Sequence, residues 1–136
     1  MSTDNRPSGA KPVLLSVMEL GGYPDFTPLY EQAGFKVYKT DSIRKAVKLI
    51  RQHRPQVMVA EFNFQSDFRD RTSSLETLMS STQGIIDCDL VVFYEKEFAP
   101  QYQRFLNTFE VAASLTFPVD EAQLRDTLSA LSIRDR

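Results

Sequence analysis

Short apolar runs that alternate with helix-like segments restrict the fold of this chain more than any other feature of its sequence. Nearly continuous apolar runs of this length are typical of strands that are buried on both faces of a parallel sheet. Residues 35–39 instead alternate apolar and charged side chains, as expected for a strand near a sheet edge. Five strands are therefore predicted, over 12–18, 35–39, 57–60, 90–93 and 111–116.

Helix signals lie between these strands. The clearest helix has apolar residues at i, i+3, i+4 and i+7 over 43–50, with Asp41 or Ser42 as its N-cap and Pro55 after its end. Residues 61–72 show no regular period and are predicted to form a long loop. The remaining helices are predicted over 24–33, from Ser73 to Gly84, from Pro100 onward and from Asp120 onward.

Five strands that alternate with five helices predict an α/β fold. Right-handed connections between the strands place helices on both faces of one five-stranded parallel sheet, which gives a flavodoxin-like three-layer sandwich of (βα)5 units. At 136 residues the chain has the length of one domain. We assign that domain to 12–131, with a disordered N-terminal tail at 1–11 and a frayed C-terminus at 132–136.

Charge and composition argue against several classes of function. Sixteen basic and eighteen acidic residues give a formal net charge of -2, without the positive field that nucleic acid requires. One cysteine, Cys88, and one histidine, His53, are too few for a zinc or iron site, so no metal is expected. The polar start lacks a signal-peptide pattern and no apolar run approaches membrane-spanning length, which predicts a cytoplasmic protein with no membrane partner.

Sequence motifs for catalysis are not found. Gly21 and Gly22 follow the first strand, but no dinucleotide-binding or P-loop pattern of glycines can be written there. His53 is expected in solvent at the end of a basic helix, away from the crevice that α/β sheets use for ligands. Cys88 is expected to pack as a small apolar side chain. We therefore predict no catalytic residue and no cofactor.

Three stretches of the chain, taken in order and at their spacing, resemble the receiver domain of two-component response regulators. Residues 33–38 (AGFKVY) are similar to the end of the family's first helix and its second strand. Residues 46–60 (AVKLIRQHRPQVMVA) are similar to its second helix and third strand, and residues 114–124 (SLTFPVDEAQL) to its fifth strand and fifth helix. The resemblance covers nearly all of 13–131 and implies a receiver-like fold.

The resemblance also implies where a receiver's phosphorylation site would lie in this chain. Receivers transfer a phosphoryl group to an aspartate after strand three, surrounded by an acidic pair for magnesium, a threonine or serine, and a lysine. The acceptor position carries Glu61, which is one methylene longer than aspartate. At the positions of the acidic pair the chain has Val17 and Met18, followed by Glu19. Tyr94 stands at the position of the threonine or serine. Phe117 stands at the position of the lysine, and Pro118 at that of the proline that follows the lysine.

These replacements remove the chemistry of phosphoryl transfer. Val17 and Met18 offer magnesium no oxygen ligand, and Phe117 cannot neutralise the charge on a transferred phosphoryl group. Glu61 is then either a partly solvated carboxylate at a strand end or a fixed negative charge that imitates the phosphorylated state. Phe117 is expected to be buried, packing toward Tyr94 and the 17–18 end of strand one.

The predicted function is that of a stand-alone, non-enzymatic pseudo-receiver in bacterial signalling or regulation. Such a module acts by protein contact, independently of phosphorylation, on a kinase, another regulator, or a motility or secretion component. A second copy of the chain is a further candidate partner, through helix four, strand five and helix five. The aromatic residues predicted to form the contact surface are Phe62, Phe64 and Phe68 in the segment 62–72, and Tyr102, Phe105 and Phe109 on helix four.

Other interpretations of these residues stay open. An amphipathic helix four needs at least two of its three aromatic residues in the core, and the segment 62–72 can instead fold over the phosphorylation site as a lid. An atypical receiver that is still phosphorylated is a second alternative. A third is a small-ligand site or an enzyme in the crevice at the carboxyl ends of the strands, lined by Glu19, Glu61, Asn63, Tyr94 and Phe117.

Overall fold

A single parallel sheet of five strands forms the centre of the protein. The computed structural model describes residues 11–18, 23–62, 74–82 and 88–134. The strands are β1 (Val13–Val17), β2 (Lys36–Thr40), β3 (Val57–Glu61), β4 (Asp89–Tyr94) and β5 (Ala113–Thr116). They run in the order β2-β1-β3-β4-β5, and every neighbouring pair is parallel, which confirms the predicted fold class.

Helices connect the strands and cover both faces of the sheet. They are α1 (Thr27–Gln32), α2 (Ile43–His53), α3 (Ser74–Thr82), α4 (Ala99–Thr108) and α5 (Glu121–Arg134), with a short 3-10 turn over Lys96–Phe98. Helix α1 is shorter than predicted and begins after Phe26, with Pro28 in its first turn, where a missing N–H costs no hydrogen bond. None of the helices in the described ranges combines the length and the apolar character that a bilayer crossing requires.

The two faces of the sheet carry separate cores, because successive side chains of a strand point to opposite sides. On the face covered by α1 and α5, called the α1–α5 face, Leu14 and Val59 pack with Leu124 of α5. On the face covered by α2, α3 and α4, called the α2–α4 face, Leu15 packs in a cluster with Phe105 of α4. Burial on both sides explains the nearly continuous apolar runs of the strands.

Helix α2 shows how local signals set the bounds of an element. Ser42 is its N-cap, and the Ser42 hydroxyl accepts a hydrogen bond from the Lys45 N–H at 3.2 Å. The helix ends where Arg54 adopts a left-handed conformation with a φ of 47°. His53 does not extend freely into solvent as predicted, because its ring is partly buried and stacks on that of Tyr38 at 3.9 Å between centroids.

Several element ends differ from their predicted positions by one or a few residues. Glu61, predicted to begin a loop, is the last residue of β3. Helix α5 continues to Arg134, past the predicted end of the domain at 131. Several predictions concern positions outside the described ranges: Glu19, Asn63, Phe64, Phe68, the helix start at Ser73, the helix end at Gly84, and the tails at 1–10 and 135–136.

Candidate functional site

The carboxyl ends of the five parallel strands lie at one end of the sheet, which is where α/β proteins place ligand-binding and catalytic groups. Val17, Glu61 and Tyr94 are the last residues of β1, β3 and β4. Phe117 follows β5, and its N–H donates a hydrogen bond to the Tyr94 carbonyl at 2.9 Å. Pro118 comes next, across a cis peptide bond. The structure therefore brings these predicted positions to the same end of the sheet.

Glu61 is buried at this end of the sheet, with 6% of its surface exposed. It shares a strand face with Val59 and is directed to the α1–α5 face, where it lies opposite Phe93 of β4. The interpretation of Glu61 as a partly solvated carboxylate is therefore wrong. Burial, and then the charges of Glu61 and Glu95, raise the pKa of the Tyr23 hydroxyl far above its usual value, so this hydroxyl stays protonated.

Tyr23, which sequence reasoning missed, packs over this end of the sheet. Its ring centroid lies 5.3 Å from that of Phe93 and 5.4 Å from that of Phe117, the second contact being edge-on. Phe117 is 43% exposed, so the prediction of a buried Phe117 is wrong. Tyr23 thus contacts the fully buried Phe93 as well as the exposed Phe117. The only signal in the sequence was an aromatic residue shortly after strand one.

Tyr94 lies on the α2–α4 face, because it follows Phe93 directly in β4. Its ring stacks on that of Tyr102 at 4.4 Å between centroids. The Tyr102 and Ser114 hydroxyls form a 2.6 Å hydrogen bond with each other, and burial raises the pKa of Tyr102. The rings of Tyr94 and Phe117 therefore belong to different clusters, contrary to the predicted packing of Phe117 toward Tyr94.

Three of the six aromatic residues predicted to contact a partner are core residues instead, and two others, Phe64 and Phe68, lie outside the described residues. Phe62 and Tyr102 are each 3% exposed, and Phe105 is fully buried. Phe62 packs on Tyr102 at 5.2 Å, and Phe105 packs on the partly buried Phe109 at 5.0 Å. The prediction of a partner surface at these positions is therefore wrong. The physical reason is that α4 uses its aromatic side to cover the α2–α4 face of the sheet.

The described residues do not fit the magnesium ion that the receiver resemblance implies. Val17 is buried and Met18 is partly buried, and neither side chain has the carboxylate oxygens that Mg²⁺ prefers. Among the residues described, no group of three or more His, Cys, Asp or Glu side chains is arranged to hold a metal ion. The position that the receiver resemblance assigns to the lysine carries Phe117, whose side chain has no charge.

Comparison with known proteins bears on the fold. No family model and no curated protein matches this sequence. Among solved structures, the chain is similar to the N-terminal domain of an uncharacterized protein from Wolinella succinogenes. The identity is 16% and the TM-score 0.71, over 91% of this chain and 96% of that chain.

The chain is also similar to the solved structures of two receiver domains. One belongs to a Francisella response regulator, with 17% identity and a TM-score of 0.67, over 92% of this chain and 99% of that chain. The other belongs to an HD domain-containing protein from Pseudomonas fluorescens, with 12% identity and a TM-score of 0.71, over 92% of this chain and 97% of that chain. The chain thus has the fold of response-regulator receiver domains.

Proposed function

We propose that this protein is a pseudo-receiver: a module with the receiver fold that binds a protein partner and is not switched by phosphoryl transfer. The main support for this proposal is the exposure of Phe117, which is 43% exposed and stands at the position where receivers have their lysine. It packs on Tyr23, at the end of the sheet where Val17 and Met18 stand in place of the magnesium ligands. An exposed aromatic ring thus replaces a charged group at the position of a receiver's phosphorylation site.

The electrostatics at this end of the sheet support the loss of phosphoryl transfer. Removing one preorganised charge-stabilising group typically costs an enzyme roughly 10²- to 10³-fold in rate. Here the lysine and both magnesium-binding carboxylates are replaced, and Glu61 itself is 6% exposed. A phosphodonor would have to approach a covered carboxylate without those groups. Glu61 instead keeps a carboxyl group at the place where a receiver gains a phosphoryl group.

Phe117 and Tyr23 together offer an aromatic contact for a protein partner. Aromatic side chains are frequent among the residues that contribute most to binding, and a ring held by a neighbour loses little freedom on binding. Within the described part of the chain, Phe117 is the large apolar side chain that is exposed. The partner classes that we propose are a kinase, another regulator, or a motility or secretion component, in the bacterial cytoplasm.

A second copy of the chain is an additional candidate partner, through α4, β5 and α5. Strand β5 is at the end of the strand order, so one of its sides is not paired with a strand of the described sheet. Sedimentation at increasing protein concentration tests this contact. A mass that rises toward that of a dimer supports it, and a monomer at every concentration excludes it.

Phosphorylation is tested directly on the full chain. Intact-mass spectrometry after incubation with acetyl phosphate and magnesium should show no phosphoryl adduct, whereas an ordinary receiver domain treated in the same way shows one. Titration calorimetry should show magnesium binding no tighter than millimolar, because Val17 and Met18 supply no oxygen ligand. An adduct on Glu61, or a micromolar magnesium site, would overturn the proposal.

Partner binding is tested with the variant Phe117→Ala. Proteins that copurify with the tagged chain from its native host are identified, and the affinity for the purified partner is measured. Phe117→Ala should weaken that affinity roughly tenfold or more. The control is Gln52→Ala, an exposed residue near the end of α2, which should bind like the parent. If both variants bind equally well, the contact surface is not at the carboxyl end of the sheet.

A further inference from the structure

A cavity of about 410 Å³ lies at the carboxyl ends of β1 and β2, on the side of α1. Its volume is in the range of small-molecule sites, and its lining comes from β1, β2, α1 and the first turn of α2, together with the segments next to them. Met18 and Tyr23 border both this cavity and the degenerate phosphorylation site, whereas Glu61 and Phe117 do not line it. The cavity therefore adjoins that site and shares Met18 and Tyr23 with it, while its other described lining residues lie outside the site.

Two nearly buried residues with hydroxyl groups line the cavity. Ser16 is 7% exposed and Tyr30 is 2% exposed. Ser16 shares a strand face with Leu14, which directs it toward α1, the helix that carries Tyr30. In the described part of the chain neither hydroxyl makes a hydrogen bond to another protein group. Both hydroxyl oxygens keep some access to solvent through the cavity, so they are available to a bound molecule.

Aromatic and apolar side chains form much of the remaining lining. Phe26 packs edge-on against Tyr30 at 6.4 Å between centroids, and Tyr23 and Met18 add further apolar surface. Aromatic surfaces favour a flat ring, because a ring makes stacked or edge-on contacts with them over a large area. Hydroxyl groups set among aromatic rings therefore favour an aromatic ligand that carries hydrogen-bonding substituents.

The charged residues of the lining balance each other. Lys39 forms a 3.0 Å ion pair with Asp25, whose other oxygen accepts hydrogen bonds from the N–H and hydroxyl of Thr27. The bonds from Thr27, and then the contact with Lys39, lower the pKa of Asp25 to about 2. The other two charged lining residues, Asp41 and Lys45, have opposite signs. A ligand without net charge suits this lining best, because an unpaired charge is costly to remove from water.

We propose that this cavity binds a small aromatic molecule without net charge, whose hydrogen-bonding substituents contact the hydroxyl groups of Ser16 and Tyr30. A molecule of one or two rings suits a cavity of this size. Neutral and zwitterionic ring compounds both meet the charge requirement, the second with its ammonium facing Asp41 and its carboxylate facing Lys45. This site does not depend on the proposed protein contact at Phe117.

The binding experiment uses the full chain and three two-ring probes: indole, L-tryptophan and indole-3-acetate. Titrations followed by ¹H–¹⁵N NMR should show saturable binding of neutral indole or zwitterionic tryptophan, with shifts at Ser16, Tyr30 and Thr40. The anion indole-3-acetate should bind more weakly. Tightest binding of the anion, no saturable binding of any probe, or shifts confined to Glu61 and Phe117 would each overturn the proposal.

Variants then test the role of the hydroxyl groups. Tyr30→Phe and Ser16→Ala each remove one hydroxyl and little else, and each should weaken binding of the preferred probe roughly fivefold. The matched control is Tyr102→Phe, which removes a buried tyrosine hydroxyl on the α2–α4 face and should leave the affinity unchanged. Parental affinity in both test variants, or an equal loss in the control, would show that the hydroxyl groups do not recognise the ligand.

Discussion

The two aromatic clusters of this protein lie on opposite faces of the same sheet and are closed to different degrees. On the α2–α4 face, Phe62 and Phe105 pack together beneath α4 and are almost completely buried. On the α1–α5 face, Tyr23 and Phe117 meet at the carboxyl end of the sheet, and 43% of Phe117 is exposed. The residue types are the same in both clusters. Helix α4 covers the first cluster, whereas Phe117 of the second cluster is exposed.

The largest effect of a mutation on the free energy of unfolding is expected in the aromatic cluster on the α2–α4 face, called the covered cluster. Phe105 is fully buried and contacts the rings of Phe62, Tyr102 and Phe109. Phe105→Ala should lower the free energy of unfolding by about 3–5 kcal/mol, measured by urea denaturation. A loss below about 1 kcal/mol would mean that α4 does not close this cluster as a core does.

The same truncation should lower the free energy of unfolding much less in the cluster of Tyr23 and Phe117, called the open cluster. Phe117 is partly exposed and its ring contact is with Tyr23, so Phe117→Ala should lower the free energy of unfolding by about 1–1.5 kcal/mol. The measurement is the same urea titration, with Phe105→Ala as the reference variant. Similar losses in the two variants would remove the distinction between the clusters.

The hydrogen bond between α4 and β5 should contribute less to the free energy of unfolding than the Phe117 ring does. Tyr102→Phe removes the hydroxyl that pairs with Ser114 at 2.6 Å and keeps the stacked ring. The free energy of unfolding should fall by about 0.5–1 kcal/mol, because Ser114 is exposed and water can replace the lost partner. Ser114→Ala is the matched variant, and its loss should not add to that of Tyr102→Phe. Fully additive losses would mean that the two hydroxyl groups act independently.

The smallest effect is expected at the exposed Asp25 and Lys39 pair beside the open cluster. Hydrogen bonds from Thr27, and then Lys39, lower the pKa of Asp25 to about 2. A carboxyl group whose pKa falls on folding stabilises the native state above its unfolded pKa of about 4, and this contribution is lost as the pH falls toward 2. Because the Asp25 side chain is 61% exposed, solvent screening should hold the contribution to about 0.5 kcal/mol or less.

The variant Asp25→Asn isolates this contribution. Unfolding free energies of parent and variant should differ at pH 7 and converge as the pH falls through 2, because below its folded pKa of about 2 the parent carboxyl group is protonated in both states. High salt at pH 7 should reduce the part of the difference that comes from Lys39. A difference that stays constant across this pH range would assign the effect to something other than the charge of Asp25.

Local signals explain why the elements of the fold could be predicted. Apolar runs marked four of the strands, and alternating apolar and charged residues marked β2. A helical spacing of apolar residues with Ser42 as the N-cap marked α2. The candidate site was harder to predict, because only its position at the strand ends follows from the chain order. Tyr23 was missed and Phe117 was predicted to be buried, since neither has a local pattern that reports its neighbours.

The order of strands and helices and the N-cap of α2 can be read from the amino acids in order. So can the absence of charge at Val17, Met18 and Phe117, the positions on which the proposed loss of phosphoryl transfer rests. These features depend on side-chain period, hydrogen-bonding capacity and charge, which each residue carries with it. Exposure is different, because it depends on what distant segments place over a side chain. Tyr23 packs on both Phe93 and Phe117, yet Phe93 is fully buried and Phe117 is 43% exposed.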